Sequence, residues 1–404
     1  MRTARKGDRV KKEFVFISIL ALLASFGCAS GGGESQGVAT DTEGVRTVTD
    51  ESGFEKELGP AEINYQTATQ FLAAGNYDEA ISHLKTATTL KPNYLEAWSE
   101  LGRTLTKVKD YTGSIAAYEK ALALSPGNTS YISSIAYSYL YLENWDKAEE
   151  YYTKLVEKDS LSYEGNVHLG FIYQKRNDPD RAIISYEKAL AAQPNDATTI
   201  GTLATLFEKK GDEEKRIEYL RRAIEAAPDN YKFKTQLGSA YMKKKDFANA
   251  VPIFEDLVKA YPDEYHYHQN LGLILSQMPE RKGEAPAELE KTLELKGGDP
   301  YVSGILALVY NELKQHAKAI AAAKQGLETA AKLDDPEART SQEPLLYYQW
   351  GVALSKLQSY DEAIAMFSKV VATKDPQWNE AATKEIARQE RLKKIAEAKK
   401  QQQQ

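Results

Sequence analysis

The chain has 404 residues, of which 42% are apolar and 27% charged. This length exceeds that of one compact globule, so it predicts several domains or a repeat array. The 25 tyrosines and the scarcity of alternating β-branched runs favour helices. The first 27 residues carry six basic and two acidic side chains, and the remaining residues carry 46 basic and 56 acidic side chains. This negative net charge disfavours nucleic acid as a partner.

The N-terminus has the pattern of an export signal. Six basic residues within the first 12 are followed at once by an apolar run from Phe14 to Phe26. This run is 13 residues long, shorter than the roughly 20 residues that a helix needs to cross a bilayer. We therefore predict a signal peptide over residues 1–27, with cleavage favoured over a permanent membrane span.

Cys28 is the only cysteine, so it cannot form an internal disulfide. With Ser25, Phe26 and Gly27 before it and a glycine-rich stretch after it, Cys28 resembles the lipobox of bacterial lipoproteins. That resemblance implies an acylated thiol, a cut just before it, and, from Ala29, sorting to the outer membrane. Two alternatives remain open. An ordinary signal peptidase would give a periplasmic or secreted soluble protein, and an uncleaved signal would serve as an anchor.

Residues 29–58 are rich in Gly, Ser, Thr, Asp and Glu and contain almost nothing apolar. Such a segment cannot repay the entropy of ordering. We therefore predict that residues 28–60 are the lipidated N-terminus and a flexible linker. Thirty flexible residues have a root-mean-square reach of roughly 30 Å.

From residue 61 onward the sequence repeats itself with a stride of 34 residues. Position 8 of each unit is small, position 11 is large and apolar, and position 32 is usually proline. A small residue at position 8, facing alanine at position 20, lets two helices approach closely. Proline at position 32 ends the second helix. The small residues are Ala68, Gly102, Ala136, Gly170, Ala204, Gly238 and Gly272.

The segment from Asn76 to Asn93 has a turn, an aromatic residue, an acidic first helical turn, an apolar stripe and a proline stop. Together with Trp98, Gly102 and Tyr118 in the next unit, it resembles the tetratricopeptide repeat (TPR) family. The resemblance covers residues 61–376. It implies an all-α fold, an α-solenoid of stacked TPR helix-turn-helix hairpins wound into a right-handed superhelix.

We predict about nine units, some of them irregular. The seventh has one extra residue, with Pro279 and Pro286 around its turn. Ten additional residues around Pro336 predict a longer loop or an extended second helix. Residues 377–404 are interpreted as a capping helix, with Ala381 on its apolar side, and a disordered glutamine tail. The predicted units are 61–94, 95–128, 129–162, 163–196, 197–230, 231–264, 265–299, 300–343 and 344–376.

Enzyme chemistry is not expected, because no residues outside the repeat pattern converge on one place. Only His266 and His268 are close in sequence, and two residues apart on a helix they face different sides. We interpret both as plain hairpin surface. No glycine-rich phosphate loop is present in the sequence. The sequence therefore predicts no metal, no cofactor and no small-molecule substrate.

In the TPR family, partners bind in a concave groove lined by positions 2, 5, 9, 12 and 13 of the first helices. The resemblance therefore implies a protein partner, a peptide segment or a helix. We predict that the aromatic residues of units three and four form one binding patch, because such rings bury much area at low entropy cost. The alternative is that these rings only pad the superhelix. The aromatic residues at groove positions are Tyr65, Tyr137, Tyr141, Phe171, Tyr301 and Tyr348.

Lysine recurs at position 13 of the first helices. Stacking of the units predicts a ladder of charges that would attract an acidic partner. Lysine near the C-terminal end of a helix is also favoured by the helix dipole, which is the alternative explanation. The Lys and Asn clamp that some family members use for a partner's terminal carboxylate is absent. The ladder consists of Lys107, Lys175, Lys209 and Lys243.

These patterns together predict a membrane-tethered scaffold or adaptor of the bacterial cell envelope. Its expected location is the outer membrane, facing the periplasm. Assembly of a pilus, secretion or cell-wall complex is the expected role. The alternative is an accessory subunit of an envelope enzyme that builds polysaccharide or peptidoglycan.

Overall fold

The computed structural model describes residues 39–40, 46–49 and 55–402. The predicted signal peptide and Cys28 lie outside the described residues. The described part contains 19 α-helices, one 3-10 helix and three short strands. The prediction of an all-α array of helix-turn-helix hairpins is therefore confirmed. No helix in these ranges is both long enough and apolar enough to cross a membrane.

Three short strands precede the helices: β1 (Ala39–Thr40), β2 (Arg46–Thr49) and β3 (Glu55–Glu57). They form an antiparallel sheet in the order β1-β2-β3, in which Thr47 pairs with Ala39 on one side and Glu57 on the other. The prediction of a linker without regular structure is wrong for these strands. Threonine and valine, which favour strands, supply four of the six residues of β1 and β2.

The chain divides into two compact units, residues 1–154 and 155–404. In the first unit, α1 packs on α2, α3 on α4, and α2 on α3. The last helix of this unit continues into the second unit from Leu155 onward. The helices are α1 (Pro60–Ala73), α2 (Tyr77–Leu90), α3 (Leu95–Lys107), α4 (Tyr111–Leu124), α5 (Thr129–Tyr141) and α6 (Trp145–Lys158).

The second unit continues the same pairing, since α7 packs on α8, α9 on α10, and so on to α17 on α18. We call the successive pairs, from α1/α2 onward, repeats 1 to 9. The helices are α7 (Tyr163–Lys175), α8 (Pro179–Ala192), α9 (Ala197–Lys210), α10 (Glu213–Ala226), α11 (Tyr231–Lys243), α12 (Phe247–Ala260), α13 (Tyr265–Gln277), α14 (Ala285–Lys296), α15 (Pro300–Glu312), α16 (His316–Ala330), α17 (Pro336–Lys356), α18 (Tyr360–Ala372) and α19 (Pro376–Gln402).

The turn inside each hairpin depends on repeat position 15, which has a left-handed backbone. Gly75 and Gly211 hold this position in repeats 1 and 5, with φ of 80° and 76°, where glycine meets no steric penalty. The other regular repeats use a residue with a side chain, at φ between 54° and 67°. These residues are Lys109, Glu143, Asn177, Lys245, Lys314 and Gln358.

Repeat 7 departs from this turn because Pro279 occupies position 15. The proline ring fixes φ near −65°, so the left-handed turn is not available to it. The chain instead forms the 3-10 helix Lys282–Glu284, and α14 follows directly at Ala285. The extra residue predicted in this unit is accommodated in this altered turn.

Position 8 of the first helix lies against position 24 of the second. A β-carbon added to Gly102 would lie 2.8–2.9 Å from the ring of Tyr118. The sequence predicted that this glycine would face position 20, which is Ser114 in this repeat, but the nearest side chain is the aromatic ring one helical turn later. The same glycine and ring pairing joins Gly170 to Tyr186, Gly238 to Phe254 and Gly351 to Phe367.

Repeat 9 begins eight residues earlier than predicted, because α17 starts at Pro336. The side chain of Asp335 accepts a hydrogen bond from the backbone N–H of Glu337 at 3.0 Å. An Asp cap followed by proline in the first helical position is a strong helix start. The additional residues therefore lengthen a first helix, and the predicted longer loop or extended second helix is wrong.

The C-terminal helix α19 covers the end of repeat 9. Trp378 and Ile386 pack with buried Ala382 against α18. The sequence prediction named the neighbouring Ala381, which is only partly buried. The helix also includes Gln401 and Gln402, which were predicted to be disordered. Alanine, lysine, glutamate and glutamine are all good helix formers, and no stop signal precedes them.

Candidate partner-binding surfaces

Neighbouring repeats are linked by one recurring side-chain contact between the first helix of a repeat and the start of the second helix of the preceding repeat. The residue at position 13 touches the residue at position 17 of the preceding repeat. The contact takes three forms: a cation over a ring, a ring on a ring, and an ion pair. The pairs are Lys107 with Tyr77, Tyr141 with Tyr111, Lys243 with Glu213, and Glu312 with Lys282.

The four lysines of the predicted ladder consequently lie in different surroundings. The Nζ of Lys107 lies 4.7 Å from the ring centroid of Tyr77, and that of Lys175 lies 5.2 Å from the ring of Phe171. Lys243 forms an ion pair with Glu213. Lys209 is exposed and makes no ion pair with any residue that the structure describes. These lysines therefore do not form a uniform row of free charges. Their role in partner binding stays a prediction.

The partner of Lys243 belongs to a charged cluster that includes Arg216. Arg216 is 5% exposed and stands at position 20, where other repeats have alanine or serine. It pairs with Glu208 at 2.9 Å and with Glu213 at 3.1 Å. Burial alone would raise the pKa of Glu213, but hydrogen bonds from Lys243 and Arg216 bring that pKa below its usual value. Lys243 thus helps to compensate a buried cluster of charges.

Three tyrosines of repeats 2 and 3 contact one another in series, with Tyr141 stacked on Tyr111 and tilted against Tyr137. The ring centroids of Tyr137 and Tyr141 are 4.5 Å apart, and those of Tyr111 and Tyr141 are 4.9 Å apart. All three side chains are partly exposed. Burial, together with a hydrogen bond between Tyr137 and Tyr141, raises the pKa of Tyr137. The hydroxyl of Tyr137 therefore stays protonated at neutral pH, and we call the three rings the tyrosine stack.

Phe171, the third member of the predicted patch, belongs to the second compact unit, whereas Tyr137 and Tyr141 belong to the first. It lies on α7, partly exposed, beneath the Lys175 ammonium group. That Phe171 joins the two tyrosines in one patch stays a prediction.

Repeats 1 and 2 form a pocket of about 340 Å³. The Arg103 guanidinium, 71% exposed, binds both carboxylate oxygens of Glu100 at 3.2 and 2.5 Å. Sequence reasoning named only Lys107 here. The signal that could have revealed the pocket is a second cation, Arg103, one turn before that lysine. The pocket is lined by Thr69, Leu72, Ala73, Tyr77, Glu100, Arg103, Thr104 and Lys107.

The remaining predicted groove residues divide between packing and exposure. Tyr65 lies 5.2 Å from the ring of Tyr94, and burial is the main cause of its raised pKa. Tyr348 packs between Phe367 at 5.4 Å and Trp378 at 5.1 Å, so the C-terminal helix covers it. These two rings agree with the padding alternative. Tyr301, in contrast, is 45% exposed.

His268 is not a surface residue, contrary to the sequence prediction. It is 6% exposed, and its Nδ1 lies 2.6 Å from Glu288 Oε2. Its Nε2 lies 2.9 Å from the backbone carbonyl oxygen of Pro262. Within the described ranges, no three His, Cys, Asp or Glu side chains converge in the way that metal ligands do.

The repeat geometry agrees with the family comparison. The tetratricopeptide repeat model matches residues 65–129, 134–197, 202–265 and 235–300. This chain belongs to the tetratricopeptide repeat family. The TPR repeats make the protein a protein-binding scaffold, and the family is generally not catalytic.

Individual relatives match only parts of the TPR chain. It is 25% identical over 144 residues to the BBSome complex member BBS4 of Bos taurus, covering 35% of this chain and 27% of that protein. It is 29% identical over 141 residues to the Drosophila melanogaster homolog, covering 34% and 29%. The chain therefore spans less than a third of these curated relatives. The C-terminal part of a TPR protein from Cytophaga hutchinsonii is 22% identical, covers 59% of this chain and 97% of that chain, and has a TM-score of 0.48.

Proposed function

We propose that this protein is a lipid-anchored scaffold of the bacterial cell envelope that binds a segment of a partner protein on the first helices of repeats 1 to 3. The observation that carries the proposal is the combination, in these repeats, of the tyrosine stack with the pocket around Arg103 and Lys107. One supplies aromatic area and the other supplies positive charge.

The tyrosine stack suits a binding surface for an energetic reason. Tyr137, Tyr141 and Tyr111 already restrain one another through ring contacts. A partner that covers them gains buried aromatic area while little further side-chain entropy is lost. Their hydroxyl groups can in addition form hydrogen bonds with the backbone of a bound segment.

The pocket indicates the sign of the partner's charge. Glu100 offsets the charge of Arg103, whereas Lys107 makes only a cation contact with the Tyr77 ring. The pocket therefore has a net positive charge on a chain that is acidic overall. A segment that carries a carboxylate is the complementary partner, and such charges chiefly increase the rate of association.

Attachment to the membrane rests on the sequence around Cys28 and on the basic and apolar leader before it. In this proposal the acylated Cys28 holds the repeats at the periplasmic face of the outer membrane. There the scaffold serves assembly of a pilus, secretion or cell-wall complex. Labelled palmitate should enter the protein, and Cys28→Ala should abolish the label. An intact mass that still includes residues 1–27 would contradict cleavage.

The binding surface is tested with the double variant Tyr137→Ala/Tyr141→Ala. We expect a loss of about 2–4 kcal/mol of partner affinity, measured by quantitative recovery of crosslinked partners from native membranes. The melting temperature followed by circular dichroism should fall by no more than about 4 °C, because both rings are partly exposed. The matched control is Tyr261→Ala, which removes a tyrosine that is 37% exposed in repeat 6.

Two outcomes contradict the proposal. Unchanged recovery with a lower melting temperature means that the rings only pad the array. Unchanged recovery with an unchanged melt means that partners bind elsewhere on the chain.

A further inference from the structure

Two repeats place a tyrosine at the same position of their second helix, where Tyr219 is buried and Tyr151 is partly buried. In repeat 5, Tyr219 at position 23 donates a hydrogen bond at 2.9 Å to Glu187, which is at position 25 of repeat 4. In repeat 3, Tyr151 reaches Glu119 of repeat 2 at 3.4 Å. The array thus has a recurring site for a phenol ring whose hydroxyl meets a carboxylate of the preceding repeat.

The same neighbours surround the ring in both repeats. An aromatic residue at position 11 stacks on it, with Phe207 5.3 Å from Tyr219 and Tyr139 5.7 Å from Tyr151. A cation at position 26 also lies over this ring. These cations are Arg222, 5.0 Å from the Tyr219 centroid, and Lys154, 4.4 Å from the Tyr151 centroid.

Repeat 8 keeps this site but lacks the tyrosine. Position 23 is Ala322, while Tyr310 stands at position 11 and Glu290 at position 25 of the preceding repeat. In repeat 5, Lys215 at position 19 lies over the Phe207 ring. In repeat 8, Lys318 at the same position lies 5.2 Å from the centroid of the Tyr310 ring.

A pocket of about 410 Å³ occupies the place of the missing ring. Its floor is apolar, because Leu293, Leu306 and Ala322 are 5%, 3% and 4% exposed. Gln325, at position 26, replaces the cation of the other two repeats. The pocket is lined by Glu290, Leu293, Glu294, Leu306, Tyr310, Lys318, Ala321, Ala322 and Gln325.

The carboxylate in this pocket is already oriented. The hydroxyl of Tyr310 donates a hydrogen bond to Glu290. Because a carboxylate has about four acceptor sites, Glu290 can accept a second hydroxyl. An aromatic ring without a hydroxyl would cover this acceptor and give it no hydrogen bond, which is unfavourable.

We infer that this pocket binds a tyrosine side chain of a partner protein, with the ring against Tyr310 and the hydroxyl on Glu290. None of the segments 1–38, 41–45, 50–54 and 403–404, which lie outside the described residues, contains a tyrosine that could fill the pocket. The site lies in repeats 7 and 8 and is separate from the surface proposed on repeats 1 to 3. It does not depend on that proposal.

The first test uses two capped tripeptides, acetyl-Ala-Tyr-Ala-amide and acetyl-Ala-Phe-Ala-amide, together with p-cresol. Saturation-transfer NMR with the full chain should give a dissociation constant on the order of 1 mM for the tyrosine peptide. The phenylalanine peptide should bind at least threefold more weakly. Equal affinity of the two peptides overturns the inference. Binding of p-cresol without binding of the tyrosine peptide also overturns it, because the pocket would then be closed to a polypeptide.

The second test fills the pocket from within. Ala322→Tyr recreates the arrangement of repeats 3 and 5, so it should raise the melting temperature by about 2–4 °C and abolish peptide binding. The matched control is Tyr219→Ala, which should open an equivalent pocket in repeat 5 and add a second binding site. Peptide binding retained in Ala322→Tyr would overturn the inference, because the tyrosine peptide would then bind outside this pocket.

Discussion

The Cα of Gly170 faces the ring of Tyr186 so closely that a β-carbon there would lie 2.9 Å from three ring atoms. This contact joins the two helices of repeat 4, and Tyr186 is itself 4% exposed. Because the ring is buried, it has little room to move away. Glycine in a helix interior costs about 1 kcal/mol relative to alanine, so the sequence keeps it here for packing.

We therefore expect Gly170→Leu to lower the free energy of unfolding by about 2–4 kcal/mol through overpacking. Hydrogen exchange should show that the loss is concentrated in repeat 4, since each repeat depends on its neighbours. The control is Ala204→Gly in repeat 5, which removes a methyl group at the same position and should cost about 1 kcal/mol. A cost below about 0.5 kcal/mol for Gly170→Leu would contradict this packing.

A substitution at Lys109 is predicted to stabilise the fold, in contrast to Gly170→Leu. The Lys109 φ of 67° lies in the left-handed region, which is unfavourable by roughly 1 kcal/mol for a residue with a β-carbon. Lys109→Gly should therefore raise the free energy of unfolding by about 0.5–1 kcal/mol. Gly75→Ala, at the same position of repeat 1, should lower it by a similar amount. Urea denaturation of both variants measures the effect, and destabilisation by Lys109→Gly would contradict the strain.

The sequence predicted the repeats well because their signals are local and recur. The small residue at position 8 reflects close helix packing. The proline that is usual at position 32 reflects the end of the second helix. The departures have a different origin. Asp335 and Pro336 begin a helix within an insertion, and the periodic pattern contains no information about which neighbouring helix an insertion will extend.

The candidate sites were only partly predictable. Tyr137 and Tyr141 were identified from their positions alone, because the repeat assigns a direction to each side chain. The environment of Lys243 was not predictable from position 13, since it depends on Glu213 in another repeat. The pocket at Ala322 was missed because it arises where an alanine stands in place of the tyrosine of repeats 3 and 5. Comparing position 23 across repeats would have shown it.

Alkaline pH should destabilise the fold through its buried tyrosines. Burial, followed by the hydrogen bond with Glu187, raises the pKa of Tyr219 from 10 to about 12. Below pH 10 the phenol is neutral in both states, so its contribution to stability is fully present. Between pH 10 and 12 the unfolded chain ionises first, so that contribution is lost as the pH rises.

The melting temperature of the native chain should accordingly fall across this interval. The melting temperature of Tyr219→Phe should fall less steeply with rising pH, because phenylalanine does not ionise. Other buried tyrosines, such as Tyr163 with a pKa raised to about 12, keep part of the slope in the variant. Identical slopes for the two proteins between pH 10 and 12 would exclude ionisation of Tyr219 as a cause.

In repeats 2, 4 and 7, position 4 of the first helix holds a hydrogen-bond donor that ties the repeat to the one before it. Its acceptor is the backbone carbonyl at position 32, at the end of the preceding second helix. Since a carbonyl only accepts, the His268 Nε2 in this position must carry a hydrogen. The three pairs are Trp98 with Pro92 at 2.9 Å, Asn166 with Ser160 at 3.0 Å, and His268 with Pro262 at 2.9 Å.

His268→Ala should consequently lower the free energy of unfolding by about 2–3 kcal/mol, because it leaves the Pro262 carbonyl without its donor and opens a cavity. His268→Asn should cost roughly half as much, since asparagine fills this position in repeat 4 and keeps one donor. His266→Ala, two residues away on an exposed position, should change stability by less than about 0.5 kcal/mol. Hydrogen exchange across α13 and α14 measures all three. If His268→Ala behaves like His266→Ala, the position 4 contact does not hold repeats 6 and 7 together.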